Sequence, residues 1–406
     1  MFTDFNIILG IDAEHERLNV MTVKRGDVSS AEVATFQGRH EKFVKGDWAG
    51  IISETLPEFL SGKTFKSPKV FLVLPDRTVG TDIITVPVIK HAKADSAIET
   101  RMSDLYPFRK NYKINKRLIS STKNIATYET VMLEKALQSS IYKAFSEYKI
   151  YPKVTTFSAN TTLNAVLALR PKTRKSSFIF LDVKDTFSNL VVAMNGCLVG
   201  FSKINFGLNA LKDYEVVSEY DLIDNSLAEV AVINAIEKAK NKRMTVIEDD
   251  DENLIDEQSI KSDAVTDASL TIDGENAVGA EQEITATETP KQKAYVKKVK
   301  KLPQYFLRPV PETNDGFVTE NFRLFLKRLL LTKMQIEQTE YFTAPEFALV
   351  NLPEKYSFVI DETNKEDNGL DLKYFNPDKD GNVNITDNLE LYGAIYSSVY
   401  NKTNNF

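Results

Sequence analysis

The stretch Ser176 to Gly207, SSFIFLDVKDTFSNLVVAMNGCLVGFSKINFG, decides the fold. Phe178 to Leu181 is an apolar run short enough for a buried strand, Asp182 sits at its end, and Ser188 to Met194 is a second run. Asn195-Gly196 supplies the pair that favours a tight type I′ hairpin, and Cys197 to Ile204 returns as a third strand. The unit reads strand, acidic corner, strand, Asn-Gly turn, strand. A looser version opens the chain: Asn6 to Ile11 ending at Asp12, then Arg17 to Lys24, a turn at Gly26-Asp27, and Val28 to Gln37. Two copies imply an internal duplication.

At 406 residues the chain is long for one core, so two domains with inserted parts are expected. An apolar fraction of 42% beside 27% charged residues fits a folded chain. The net charge of −6 argues against nucleic acid as partner, because phosphate binding leaves a basic footprint. Cys197 is the only cysteine, which excludes a disulfide framework or cysteine metal cluster and points to a reducing, cytoplasmic setting. The N-terminal residues carry no basic region of a secretory signal, and no run reaches the roughly 18 apolar residues of a spanning helix.

Outward from the two units, Trp48 to Leu60 has helical spacing, with Pro57 expected to kink it or end it early. Val70 to Leu74 is a strand, so strands and helices alternate as in an α/β layer. Residues 81–151 read as a small inserted subdomain: strand Ile83 to Val86, helix Ala94 to Leu105, strand Arg117 to Ser121 and a long helix from Glu129 to Tyr148. A strand and helix over Lys153 to Leu169 lead to the central unit. Leu208 to Tyr214, Asn225 to Lys240 and Asn321 to Gln338 read as helices, Glu346 to Leu352, Lys355 to Ile360 and Gly369 to Phe375 as strands, and Asn388 to Tyr400 as a closing helix. Ile247 to Pro290 is acidic and rich in Ala, Ser and Thr, which predicts disorder, and Lys291 to Lys301 reverses the sign.

Four segments in order, Leu9 to Val20 (LGIDAEHERLNV), Val70 to Pro87 (VFLVLPDRTVGTDIITVP), the central unit and Asn388 to Asn401 (NLELYGAIYSSVYN), resemble the PilM-like type IV pilus assembly proteins and their FtsA relatives in the actin-like ATPase superfamily. The resemblance implies an α/β, actin-like (ribonuclease H-like, duplicated) two-domain fold with an FtsA/PilM-type inserted subdomain. The first α/β subdomain would hold 1–80 and 152–172, closed by the helix at 388–401. The second would hold 173–212 and 340–387, with helical parts at 213–246 and 302–339 and an insertion at 247–301.

In that superfamily the two acidic corners approach nucleotide phosphates and an Asp holds hydrated magnesium. The resemblance therefore marks Asp12, Asp182, Lys184 and Thr186 as ATP and magnesium contacts. FtsA and PilM relatives show Gly-Ile-Asp-x-Gly and Asp-x-Gly-x-x-x-Thr. Here Ala13, Glu14, His15 and Glu16 follow Asp12, and Val183, Lys184, Asp185 and Thr186 follow Asp182. Without glycine a side chain obstructs the backbone approach to phosphate. The late Gly-Gly turn that carries adenosine is replaced by Asn351, Leu352 and Pro353. These departures predict a degenerate nucleotide site and a pseudo-ATPase scaffold. An active assembly ATPase on the same fold is the alternative, and an FtsA-like division protein a second, although the chain runs only from Tyr400 to Phe406 after its last predicted helix.

The resemblance further implies a PilN-type membrane-anchored partner, whose cytoplasmic tail would lie between the first subdomain and the insertion, flanked by Pro75, Val79, Ile83, Leu105, Tyr106 and Phe108. The protein would then sit at the inner face of the membrane through that partner, with self-association open. His15, His40 and His91 fall in separate predicted elements, so they form no catalytic or metal set. Residues 376–387 fit a calcium loop, with oxygen ligands from Asn376, Asp378, Asp380, Asn384 and Asp387. The other reading of that loop is a polar Asp-Gly turn before a helix.

Overall fold

A computed structural model describes residues 5–25, 27–63, 65, 68–88, 94–106, 108–212, 313–337, 344–365, 369–377, 388–398, 400 and 405–406. The chain divides into two units, 1–214 with 311–406, and 215–310. The second lies outside the described residues, as do the predicted helix at Asn225 to Lys240, the acidic and basic blocks, His91, and Asp378, Asp380, Asn384 and Asp387 of the calcium loop.

In chain order the described elements begin with β1 (Phe5–Asp12), β2 (Arg17–Lys24), β3 (Asp27–Gln37), α1 (His40–Lys45), α2 (Trp48–Leu60) and β4 (Lys69–Leu74). Next come β5 (Val79–Pro87), α3 (Ala94–Leu105), β6 (Tyr112–Ser121), β7 (Ile125–Glu134), α4 (Lys135–Ser146), β8 (Pro152–Phe157) and α5 (Ser158–Leu169). The second half holds β9 (Ser177–Val183), β10 (Ser188–Met194), β11 (Cys197–Ile204), α6 (Leu208–Lys212), α7 (Asn314–Glu337), β12 (Phe347–Asn351), α8 (Phe358–Asn364), β13 (Asp371–Phe375) and α9 (Leu389–Ile395).

The first sheet has the order β3-β2-β1-β4-β8 and the second β11-β10-β9-β12-β13, so the same five-strand path occurs twice. In both, the opening three strands pair antiparallel and the last two add in parallel to the first. That duplicated topology is the actin-like α/β fold. The central strands are covered on both faces, which is why they read as continuous apolar runs. On β1, Ile7, Leu9 and Ile11 enter the main core while Ile8 joins the opposite layer with Phe71, Val73, Leu391 and Ala394. The Asn195-Gly196 turn has φ of 52° and 72°, the doubly positive geometry of a type I′ hairpin.

The insertion is a three-stranded sheet, β5-β7-β6, with α3 packed on it through Ile98 and Met102 against Ile84, Val86 and Met132. It rests on the Asn-Gly hairpin: Ile119 packs with Met194 and Cys197, and Arg117 donates to Gly196 O at 3.2 Å. The three strands of this sheet span 79–134, against the predicted insertion of 81–151. Glu129 to Glu134, expected to open a helix, lies in strand β7, which is paired on both sides, by β5 and β6. Only Lys135–Ser146 is helical, and it packs Ile141 and Phe145 into the main core.

Two further expectations change. Lys355 to Ile360 is not a strand: a 3₁₀ turn at Glu354–Tyr356 leads into α8. Pro353 precedes that turn and favours a helix start. Helix α2 runs through Pro57 to Leu60, because the proline removes one bond near the helix end while Ile51, Ile52, Leu56 and Phe59 stay buried.

Helix α9 closes the first lobe by lying against α5. A Cβ on Gly393 would stand 1.8 Å from the backbone oxygen of Thr161, so this contact requires glycine. Gly393→Ala forces the two helices apart and should destabilise by about 3 kcal/mol or more, the upper range of overpacking costs, measured by urea unfolding. A change within 0.5 kcal/mol would mean the helices are not in this contact.

Candidate functional site: the cleft between the two sheets

Asp12 ends β1 and spends its carboxylate on its own turn. Its Oδ1 accepts the backbone N–H groups of Glu14 and His15, both at 3.2 Å, and Oδ2 takes His15 Nδ1 and Arg17 Nε, both at 2.8 Å. Burial raises the Asp12 carboxyl, but the bonds and charge of His15 and Arg17 outweigh it and hold the group below its ordinary value. His40 is likewise paired, with Glu16.

The second corner closes through its backbone. Lys184 N–H donates to Phe187 O at 2.9 Å, and the carbonyls of Lys184 and Asp185 accept the N–H groups of Leu208 and Asn209 at 2.8 and 2.9 Å. Gly207 allows this approach: a Cβ there would lie 2.5 Å from Lys184 O and 2.6 Å from Phe187 N. The start of α6 therefore sits on this corner. Asp182 is 1% exposed; its Oδ1 accepts Asn351 Nδ2 at 2.7 Å and Lys184 Nζ stands 3.0 Å from Oδ2. Asn351, in the stretch matched to the adenosine turn, thus bonds the acid of the second corner. Thr186 is exposed.

The structure brings Asp12, Asp182 and Lys184 to one cleft and adds two acids that the sequence reading missed, Asp76 and Glu390. Asp76, just past β4, accepts the N–H of Ala159 at 2.7 Å and so caps α5, whose preceding residue Phe157 has no capping side chain. Burial pushes Asp76 up to about 7; the Ala159 bond opposes the rise and the charge of Glu390 adds to it. Burial also raises Glu390, against the attraction of Lys184 and a bond from Ser158, with Asp182 and Asp12 adding to the rise. A strand-end acid in the Leu-Pro-Asp stretch is the signal that could have flagged Asp76. At the rim, Lys203 Nζ lies 2.5 Å from Glu14 and joins the lobes. The cavity lined by Asp76, Ser158, Asn189, Phe201, Ser202 and Glu390 measures about 10 Å³ for the centre of a water-sized sphere, roughly what one water needs.

The six predicted groove residues separate. Pro75 is buried at the end of β4, and Val79 packs against the main core. Ile83 packs on the β10–β11 hairpin, and Tyr106 joins the insertion's core with its hydroxyl donating to Asp82 at 2.8 Å. Burial and that partner push Tyr106 up to about 12. Leu105 and Phe108 alone are open, 44% and 74% exposed. Packing into the main core, onto the β10–β11 hairpin and within the insertion accounts for the other four. Among the described residues no cluster of His, Cys, Asp and Glu fits a metal, and no helix is long and apolar enough to cross a membrane.

No family profile matches the chain, and no curated protein matches it in sequence. Among solved structures it is similar to the PilM-PilN type IV pilus biogenesis complex, at 11% identity over 97% of this chain and 96% of that one, with a TM-score of 0.49. It is also similar to the cytoplasmic domain of EpsL, an inner-membrane component of the type II secretion system of Vibrio cholerae, at 6% identity over 53% and 75% of the chains and a TM-score of 0.31. A third is the ethanolamine utilization protein EutJ from Carboxydothermus hydrogenoformans, at 9% identity over 92% and 85%, with a TM-score of 0.35.

Two outcomes follow from the carboxylates. Asp76 keeps its proton in the folded chain up to about 7, while the unfolded chain releases it near 3.8, so stability falls as pH rises through that window. Asp76→Asn keeps an oxygen for Ala159 and should flatten the loss between about pH 4 and 7, worth at most about 4 kcal/mol. Melting curves across that range decide it; an unchanged slope would remove Asp76 as the cause. Asp12→Ala, which strips four bonds from a tight turn, should cost about 1–3 kcal/mol in urea unfolding at pH 7. The Asp12 contribution is present above its ordinary value and is lost as pH falls through its lowered one.

Proposed function

We propose that the chain is a non-enzymatic, actin-fold scaffold of type IV pilus or related secretion assembly, which holds the cytoplasmic tail of a PilN-type membrane-anchored partner. The observation that carries this reading is that the strand-end acids of both corners are engaged by the chain's own groups. A phosphate cradle needs free N–H donors and a close backbone. Here Lys184 N–H is bonded to Phe187 O, the neighbouring carbonyls face α6, and Asp12 and Asp182 are engaged by His15, Arg17, Asn351 and Lys184. A magnesium nucleotide would have to break these bonds and open the cleft.

The partner class comes from the resemblance of the four sequence segments. It is supported by Leu105 and Phe108, which leave two large apolar side chains exposed where α3 leaves the inserted sheet. Apolar anchors beside a sheet suit capture of an extended tail. The scaffold would reach the membrane through that partner.

Calorimetric titration of Mg-ATP into the full chain tests the nucleotide side. The expected result is no binding up to millimolar nucleotide; micromolar binding that vanishes in Asp182→Ala would restore the ATPase reading. For the partner side, Leu105→Ser with Phe108→Ser should weaken binding of a PilN-type tail peptide at least tenfold at unchanged melting temperature. Undiminished binding would place the tail elsewhere.

A further inference from the structure

Residues Asn405 and Phe406 extend the first sheet. Phe406 N–H donates to Thr155 O at 2.7 Å, and Thr155 N–H donates to Phe406 O at 3.3 Å. Two residues that exchange both bonds form the hydrogen-bonded pair of an antiparallel ladder. The pair lies on the outer edge of β8, whose other side is taken by β4. The Phe406 ring is buried in the main core, 6% exposed. Asn405 ties in two more elements: its carbonyl accepts Asn115 Nδ2 of β6 at 2.7 Å, and its Nδ2 donates to Ser397 O at 2.7 Å. Two residues thereby close a seam between the first sheet, the inserted sheet and the turn after α9.

The seating is incomplete. Thr155 Oγ1 and Asn405 Oδ1 are both buried without a hydrogen-bond partner, which weakens the hold of the segment. Among the described residues the backbone pairing of this segment with β8 is the Phe406–Thr155 pair, whereas an open strand edge accepts a longer extended segment.

We infer that the seam along β8 is a receptor groove for an extended partner segment carrying an amide side chain followed by a large aromatic, and that Asn405–Phe406 fills it in the free chain as a displaceable internal occupant. This rests on the scaffold reading and deepens it, because the seam separates the same two bodies, first subdomain and insertion, that the resemblance places on either side of a tail. Binding a partner then requires release of the chain's own segment, which makes the occupant a regulator of access.

The probe is a labelled synthetic peptide of residues 400–406, YNKTNNF, followed by fluorescence anisotropy with the full-length chain. The full-length Phe406→Ala chain should bind it with at least tenfold higher affinity than the unaltered chain, and the peptide ending in Ala should not bind. No saturable binding to a folded Phe406→Ala chain, or equal affinity for both chains, overturns the proposal. A chain dimeric before the change and monomeric after it assigns the seam to a second copy and overturns internal occupancy as well. Should Phe406→Ala not fold, hydrogen exchange on the unaltered chain decides: the Thr155 amide should exchange at least 100-fold faster than those of β4, and equal protection refutes a displaceable occupant. The probe is this chain's own sequence, so its failure leaves the tail-binding reading to its separate test with the partner peptide.

Discussion

Helix α5 is buried along nine consecutive residues, Ala159 to Leu167, and the rest of the molecule is arranged to permit that. Burying a whole turn sequence, polar residues included, is stable only if each polar group finds a partner inside. Asn160 Nδ2 reaches Thr156 Oγ1, Asn164 Nδ2 reaches Ser397 Oγ, and Thr161 Oγ1 returns to the carbonyl of Ser158. Two of these bonds are local, and the third is made only when the closing turn comes back from 233 residues away. The bare face of Gly393 lets that segment come close enough. The helix start is completed from a third place in the chain, by Asp76. The acids on the cleft floor are therefore explained first as parts that anchor a buried helix.

The two copies of the β-unit share a path and have diverged at their corners. The first corner is filled by side chains, with one carboxylate gathering two backbone donors, an imidazole and a guanidinium. The second is filled by main chain, because Gly207 admits the start of α6 to within bonding distance of its carbonyls. The corner residues join strand to strand and strand to helix, and Asn351 completes the join from β12.

Local grammar carried much of the architecture into the sequence. The Asn-Gly hairpin and the ends of α3 at Ala94 and Leu105 stand where patterning puts them. Strand β7 was hidden because Glu129 to Leu133 is buried without polar alternation, and Glu129 is 2% exposed because two strands flank it. At the site, Asp12, Asp182 and Lys184 were legible as strand-end residues. Asp76 and Glu390 were not, since their meaning comes from Ala159 and Ser158, far along the chain, and no spacing rule encodes such a meeting. The six groove residues split between surface and core for a related reason: apolar residues near a cleft cannot be sorted until their neighbours are known.

The rim pair of Lys203 and Glu14 connects the lobes where both side chains remain partly open to water, 37% and 48% exposed. An ion pair in that setting contributes about 0.5 kcal/mol, close to the thermal energy. A fastening of that strength is undone about three tenths of the time. Salt weakens it further, as the screening length shortens from about 10 Å at 0.1 M to about 3 Å at 1 M. The cleft mouth thus behaves less as a seal than as a loosely sprung clasp, and the ionic strength around the protein sets how often the two halves let go of each other there.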